Sequence, residues 1–191
     1  MNKAVYDEYY KERNYFGEPY PGLVEFFKRY ESKCKVLDLG CGQGRDSLCL
    51  GRLDYTVKGI DISKIGIDQM NKIAKEENLN VKGEVADVYN YSISSEYDLV
   101  LLDSMLHFYK NDMEKETNFI KRVASELKVG GLLCNFMLKG KKRQKHLKSV
   151  INGMDINWEV VSDKYTDYPE SNSEFHMYII KKSKVHYENR E

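Results

Sequence analysis

Val36-Leu37-Asp38-Leu39-Gly40-Cys41-Gly42-Gln43-Gly44 decides the fold. A short apolar run followed by three alternate glycines reads as strand, turn and helix. With no side chains at Gly40, Gly42 and Gly44 the backbone turns tightly, and a bulky ligand lies directly against main-chain N–H groups at the start of the next helix. Such a turn is a nucleotide pocket. Cys41, inside it, reads as a small space-filling residue rather than a catalytic thiol.

Two residues separate this turn from a dinucleotide fingerprint. A dinucleotide site needs a third Gly or Ala where this chain has Arg45, and Asp38 would repel a pyrophosphate. An acid there suits a cation instead. S-adenosylmethionine carries a sulfonium and an ammonium and no phosphate. Asp61 ends a second strand-like run, Thr56 to Ile60, and lies 21 residues after Gly40, close to the roughly 20-residue offset at which an acid grips ribose hydroxyls.

The segments VLDLGCGQGRDSLCL and VKGIDIS resemble the first and second motifs of class I S-adenosylmethionine-dependent methyltransferases, and LDLGCGQGRDS is similar to the branch containing the tellurite-resistance methyltransferase. The resemblance runs from about Lys35 to Leu138. It implies S-adenosyl-L-methionine as cofactor, with S-adenosyl-L-homocysteine as product. The expected cofactor-binding residues are Tyr15, Asp38, Gly40, Cys41, Gly42, Gly44, Arg45, Asp61, Ile62, Asp87, Val88 and Asp103. Within that set Ile62 packs on adenine, Asp87 accepts from the adenine amino group and Val88 offers its N–H to the ring. Asp87 also reads as a helix N-cap or turn former.

A chain of 191 residues buries roughly 70% of its unfolded surface and forms one domain. We divide it into an N-terminal helical lid segment (1–30), a Rossmann-like core (33–182) and a loose tail (183–191). Lys plus Arg and Asp plus Glu balance at 30 each, the pI is about 6.9 and mean hydropathy is -0.62. No global charge favours nucleic acid or membrane. The charged start, MNKAVYDEYYKERNYF, is not a signal peptide and no apolar run is long enough to span a bilayer, so the expected location is the cytoplasm. Cys34, Cys41, Cys49 and Cys134 form no C-x-x-C pair and are expected to be reduced. His107, His146, His176 and His186 are scattered, and no metal site is expected.

Apolar runs at Lys35 to Leu39, Thr56 to Asp61, Val81 to Val85, Asp98 to Leu102 and Leu132 to Leu138 alternate with helical patterns, as in a parallel sheet covered on both faces. The spacing of Met113, Phe119, Ile120, Val123 and Leu127 predicts a helix over Asp112 to Lys128, ended by Gly130-Gly131. Ile156 to Ser162 and Phe175 to Lys181 read as strands separated by a polar loop, Asp163 to Glu174, and must pair antiparallel. The predicted fold is α/β: a Rossmann-like single domain with a mostly parallel seven-stranded sheet, a C-terminal antiparallel hairpin and helices on both faces.

Ligands of an open parallel sheet sit beyond the carboxyl ends of the strands. Asp103-Ser104-Met105-Leu106-His107-Phe108 follows the fourth strand and resembles the superfamily's fourth motif, beside the methyl group. It is not the Asn/Asp-Pro-Pro-Tyr form that grips an amine on a base. Asp103 and His107 are the candidate catalytic residues, orienting or deprotonating the acceptor. His107 also reads as a core histidine satisfied by a carbonyl. Methyl transfer is an in-line displacement needing alignment, with a base only for a protonated nucleophile.

Tyr6, Tyr9, Tyr10, Tyr15, Phe16 and Tyr20 suit a lid over the cofactor, or the packing of an N-terminal helix. Lys139 to Lys148 is basic and follows the fifth strand. Cations at a helix start oppose its dipole and hint at an anionic acceptor, or else form a solvated charge run. With the acidic Asp163 to Glu174 as the other flank of one rim they point to a zwitterionic or polar small molecule. The reading is a methyltransferase of a small-molecule acceptor, with no membrane partner and none expected in nucleic acid. Its rivals are an RNA or protein methyltransferase, a non-catalytic S-adenosylmethionine-binding protein and, disfavoured by Asp38 and Arg45, an NAD oxidoreductase.

Overall fold

The structure, a computed structural model, describes residues 3–184. His186 and the expected tail beyond Lys184 lie outside the described residues. Two helices, α1 (Lys3–Tyr9) and α2 (Pro21–Arg29), precede the sheet. Then follow β1 (Lys35–Leu39), α3 (Arg45–Arg52), β2 (Thr56–Asp61), α4 (Lys64–Glu76) and β3 (Val81–Val85). The second half runs β4 (Leu99–Asp103), α5 (Met113–Glu126), β5 (Leu132–Leu138), α6 (Lys141–Asn152), β6 (Asn157–Tyr168) and β7 (Ser173–Ser183). The seven strands form one sheet in the order β3-β2-β1-β4-β5-β7-β6. All neighbours are parallel except β5 with β7 and β6 with β7. The order reverses between β1 and β4, where a ligand crevice opens.

Side chains alternate across each strand, so the sheet feeds two cores. Val36, Val57, Leu99 and Leu101 pack under Leu23 and Phe27 of α2, Leu48 of α3 and Met70 of α4. Leu37, Leu39, Val100 and Leu102 pack under Phe119 and Val123 of α5 and Leu147 and Ile151 of α6. The same period of two puts Asp38, Asp61 and Asp103 on the face of Val36, Val57 and Leu101, all at carboxyl ends of strands. Local signals begin the helices: Ser63 Oγ accepts from Gly66 N at 3.2 Å ahead of α4, and Asp46 lies in the first turn of α3, where a carboxylate favours the dipole. Among the described residues no helix is long and apolar enough to cross a membrane.

The expected loop Asp163 to Glu174 is corrected. β6 continues through it to Tyr168, and only a 3-10 turn, Pro169–Ser171, joins it to β7. Its polar composition hid the strand because the partners lie across the sheet or on a helix. Asp163 accepts from His176 Nε2 at 2.7 Å, Thr166 Oγ1 accepts the Gly22 N–H of α2 at 2.9 Å, and Thr166 and Tyr168 are buried. A bulge between Val160 and Ser162 shifts the register midway. β4 starts one residue later than expected, because the Asp98 side chain accepts from Lys35 N at 2.9 Å and pairs with Lys128.

Thr166→Val keeps the shape of this contact and removes the acceptor of a buried N–H. It is expected to lower unfolding free energy by about 1 kcal/mol, read from urea denaturation. An unchanged midpoint would mean that α2 does not depend on the extended part of β6.

Candidate functional site

The glycine turn is built against β2. Gly40 N and Cys41 N both donate to Ile60 O, at 2.8 and 3.1 Å, and Gly42 N donates to Asp61 Oδ2 at 3.0 Å. Gly40 (φ +88°) and Gly42 (φ +53°) are in the left-handed region, where a side chain is strained. A Cβ at Gly40 would also strike Met105, and one at Gly42 the Tyr10 ring. The other Asp61 oxygen accepts from Ser63 N at 2.8 Å. Burial raises the Asp61 carboxyl above its usual range against these backbone bonds. Cys41 is buried and its thiol is pushed well up by desolvation, as suits a space-filling role.

Beside the turn, three carboxylates surround one guanidinium. Arg45 Nε and Nη2 donate to the two Asp46 oxygens at 3.0 and 2.9 Å, and Nη2 also pairs with Asp103. The guanidinium lies 4.5 Å from the Tyr20 ring centroid and 5.6 Å from that of Tyr168. Asp38, 2% exposed, accepts from Ser47 Oγ at 2.6 Å. Burial, then the neighbouring Asp46, pushes the Asp38 carboxyl up to about 8. Asp103 is pushed up to about 7, burial outweighing the pull of Arg45. The Tyr20 hydroxyl reaches both Asp103 Oδ2 and Ser104 Oγ at 3.3 Å.

The loop after β4 is held in an unusual conformation. Ser104 and Phe108 are left-handed, at φ +54° and +51°, rare for a bulky aromatic residue. Glu116 of α5, 3% exposed, accepts the N–H groups of His107 at 2.8 Å and Phe108 at 2.5 Å. That anchor presents His107 to the cavity. Its imidazole makes no hydrogen bond among the described residues and stacks on Tyr109 at 5.5 Å. The carbonyl bond that the core-histidine alternative called for is thus not present among the described residues. Burial lowers its pKa, which keeps the ring neutral at pH 7.

The glycine turn, the carboxylate cluster and His107 line one cavity of about 860 Å³, with Tyr6, Tyr10 and Phe16 of the N-terminal segment. Gln43 fastens that segment: its Nε2 donates to Glu12 O at 2.7 Å and its Oε1 accepts from Tyr15 N at 3.1 Å. Of the expected cofactor residues, Asp38, Gly40, Cys41, Gly42, Arg45, Asp61 and Asp103 line the cavity. Gly44 caps α3 behind it. Ile62, Asp87, Val88 and Tyr15 are not among the lining residues. Asp87 accepts from Tyr89 N and Asn90 Nδ2 at 3.0 and 2.9 Å, which makes it a turn former here. Tyr15 is exposed and stacks on Tyr9 at 4.7 Å.

The picture of two opposed charged flanks is corrected. Lys139 pairs with Glu174 of β7 and Lys148 of α6 with Asp163 of β6, so two of the six cations of the basic segment are bound to acids of the other flank. Sequence reasoning missed Asp46 and Glu116, gave Ser104 of the fourth-motif segment no role, and placed Tyr20 only in the lid and Tyr168 only in the rim segment Asp163 to Glu174. Asp46, adjoining Arg45 in the turn motif, was within reach. The two tyrosines and Glu116 arrive from distant segments and leave no local trace.

The family model described as tellurite resistance protein TehB matches residues 4–165. A relative named probable S-adenosyl-L-methionine-dependent methyltransferase TehB, from Haemophilus influenzae, is 35% identical over 128 residues. The match covers 64% of this chain and 44% of that relative, so the chain spans less than half of the relative's length. The crystal structure of TehB from Haemophilus influenzae has a TM-score of 0.66 at 22% identity, covering 95% of this chain and 67% of that one. N-methyltransferase NodS from Bradyrhizobium japonicum WM9, solved with S-adenosyl-L-homocysteine, has a TM-score of 0.74 at 13% identity and covers 95% of this chain and 98% of that one. The two solved structures share the Rossmann-like fold with this chain.

The raised carboxyls carry a pH signature. The folded chain holds the Asp38 proton up to about pH 8, whereas the unfolded carboxyl releases it near 3.8. The unfolded state therefore binds fewer protons through that window, and the Asp38 contribution to stability is lost as pH rises. Asp38→Asn keeps an acceptor for Ser47 and removes the charge. It is expected to flatten the fall in stability between about pH 4 and 8 and to exceed the parent at the upper end, measured by urea unfolding at each pH. A steeper fall in the variant would refute the assignment.

Proposed function

The chain belongs to the TehB family, and from that premise we propose that it binds S-adenosyl-L-methionine at the glycine turn and transfers its methyl group to a small-molecule acceptor. One observation carries the reading: a large cavity bounded by a glycine turn and by three carboxylates that a single guanidinium does not neutralise. Such a site attracts a cation and repels a pyrophosphate. The donor set fits the cofactor, whose sulfonium and ammonium are positive. When bound, the cofactor supplies an electrophilic methyl group. The Haemophilus relative's name and the S-adenosyl-L-homocysteine bound to NodS agree with this choice.

The chain's residues divide the work. Gly40 and Gly42 let the ligand approach the main chain, and Asp61 receives the ribose hydroxyls. Asp38, Asp46 and Asp103 provide the negative field at the methionine end, with Arg45 holding two of them in place. Asp103, with Tyr20 and Ser104 on its oxygens, orients the acceptor. The neutral His107 takes a proton from an acceptor that arrives protonated. Residues 33–182 act as the core of a single methyltransferase domain, and the 1–30 segment, fastened by Gln43, closes over the cofactor and excludes water. Lys139 and Lys148, two of the six cations of the basic segment, are spent on acids, which reduces the basic surface that an RNA methyltransferase would need.

Calorimetry is expected to show binding of S-adenosyl-L-homocysteine and none of NAD; the converse would sink the assignment. Asp61→Ala is expected to weaken cofactor binding by about 1.5 to 3 kcal/mol, and unchanged affinity in a folded variant would remove Asp61 from the site. His107→Ala is expected to slow single-turnover methyl transfer while S-adenosyl-L-homocysteine affinity holds, and Asp103→Asn to slow it more than it weakens that affinity. Lowered melting temperature with full turnover would make both residues structural.

A further inference from the structure

Arg143, in the first turn of α6, stands apart from the other cations of its segment. Lys139 and Lys148 are paired with carboxylates, and Lys141, Lys142 and Lys145 are exposed. Arg143 is half-buried, has no ion-pair partner among the described residues, and its Nη1 is buried without a hydrogen-bond partner. An unpaired buried donor is destabilising, and an incoming acceptor group would recover that cost. The stem is folded back over the helix start: a Cβ at Gly140 would lie 2.9 Å from Arg143 Nε. No side chain caps this helix, and its first turn has no acid, so a cation here opposes the dipole rather than stabilising it.

The guanidinium leads back to the cavity through two rings. It lies 5.8 Å from the Tyr109 centroid. Tyr109, 56% exposed although aromatic, stacks on His107 at an interplanar angle of 15°. His107 lines the cavity beside Asp103 and Ser104. The cavity thus has an acidic pole around Asp38, Asp46 and Asp103, and an unpaired cation lies behind Tyr109 on its His107 side. We propose that Arg143, Tyr109 and His107 form a recognition subsite for an anionic oxygen group, carboxylate or phosphate, carried by the methyl acceptor. The inference rests on the acceptor site assigned above. It orients the acceptor: the anion is repelled by the acidic pole and fixed by Arg143, and the nucleophilic end is turned toward Asp103.

The test uses the full chain saturated with S-adenosyl-L-homocysteine and follows the His107 imidazole by 1H–15N NMR during titration with benzoate, phenyl phosphate and neutral benzamide. Benzoate or phenyl phosphate is expected to shift the His107 signals saturably, and benzamide is not. The anion that binds more tightly identifies the acceptor's group. Arg143→Gln and Arg143→Met are each expected to weaken that binding at least about tenfold, with Arg143→Lys recovering part of it. Melting temperature and S-adenosyl-L-homocysteine affinity should hold in all three variants. Benzamide binding as well as benzoate, or Arg143→Met binding the anion at parental affinity, would overturn the subsite. Failure of the parent chain to bind S-adenosyl-L-homocysteine would instead overturn the methyltransferase reading.

Discussion

The cleft depends on the Arg45 guanidinium. Three carboxylates buried on one face at the switch point would repel one another strongly in a low-dielectric interior, and a lone buried cation would cost several kcal/mol. Together they are tolerable. Arg45 takes both Asp46 oxygens and one from Asp103, while the Tyr20 ring covers its face. The balance is incomplete, and the negative charge that remains is relieved only partly by protons on Asp38 and Asp103. That residue of charge makes the site selective for a cation.

Tyr20 carries the constraint into the fold. It is fully buried just ahead of α2, stacks on Phe136 of β5 at 5.7 Å and Phe175 of β7 at 4.7 Å, and meets Tyr168 of β6 edge-on. The antiparallel hairpin and the N-terminal helix thus converge on the same phenol whose hydroxyl reaches Asp103. Loosening the hairpin would move the group that positions the acid. This links the extended β6 to the chemistry: its far end, at Tyr168, is a wall of the site.

The parallel half of the fold was legible because its signals are local. Lys35 to Leu39, Thr56 to Asp61, Val81 to Val85 and Leu132 to Leu138 are apolar enough, and bounded sharply enough, for the strands to fall where the pattern puts them. Asp38 and Asp61 followed from their spacing to the glycine turn, and Asp103 from its place just after the fourth strand. β6 failed that reading because an edge strand with one face on a helix and the other in water carries Asp, Lys and Thr without penalty. The anchoring of His107 was likewise invisible. Glu116 reads as one more acid on an amphipathic helix until the loop after β4 folds back to place two N–H groups on it.

The N-terminal segment follows a different logic. Gln43 and Gln69 both bond its main chain, at Glu12 O and Tyr10 O respectively, and Asp7 accepts from Ser63 Oγ. All three partners belong to the glycine turn or to α4 and its cap. The Tyr10 ring presses on Gly42 and Gly66, where a Cβ on either would strike it. The segment is therefore held by the elements that build the cofactor cleft, through a few polar bonds and one aromatic face. Contacts of this kind are individually worth about 1 kcal/mol, small enough to exchange and directional enough to restore one closed arrangement. On the proposed reading of this segment as a lid, its closure would stay in register with the glycine turn, because Gln43 bonds the segment's main chain and any shift of the turn moves both together.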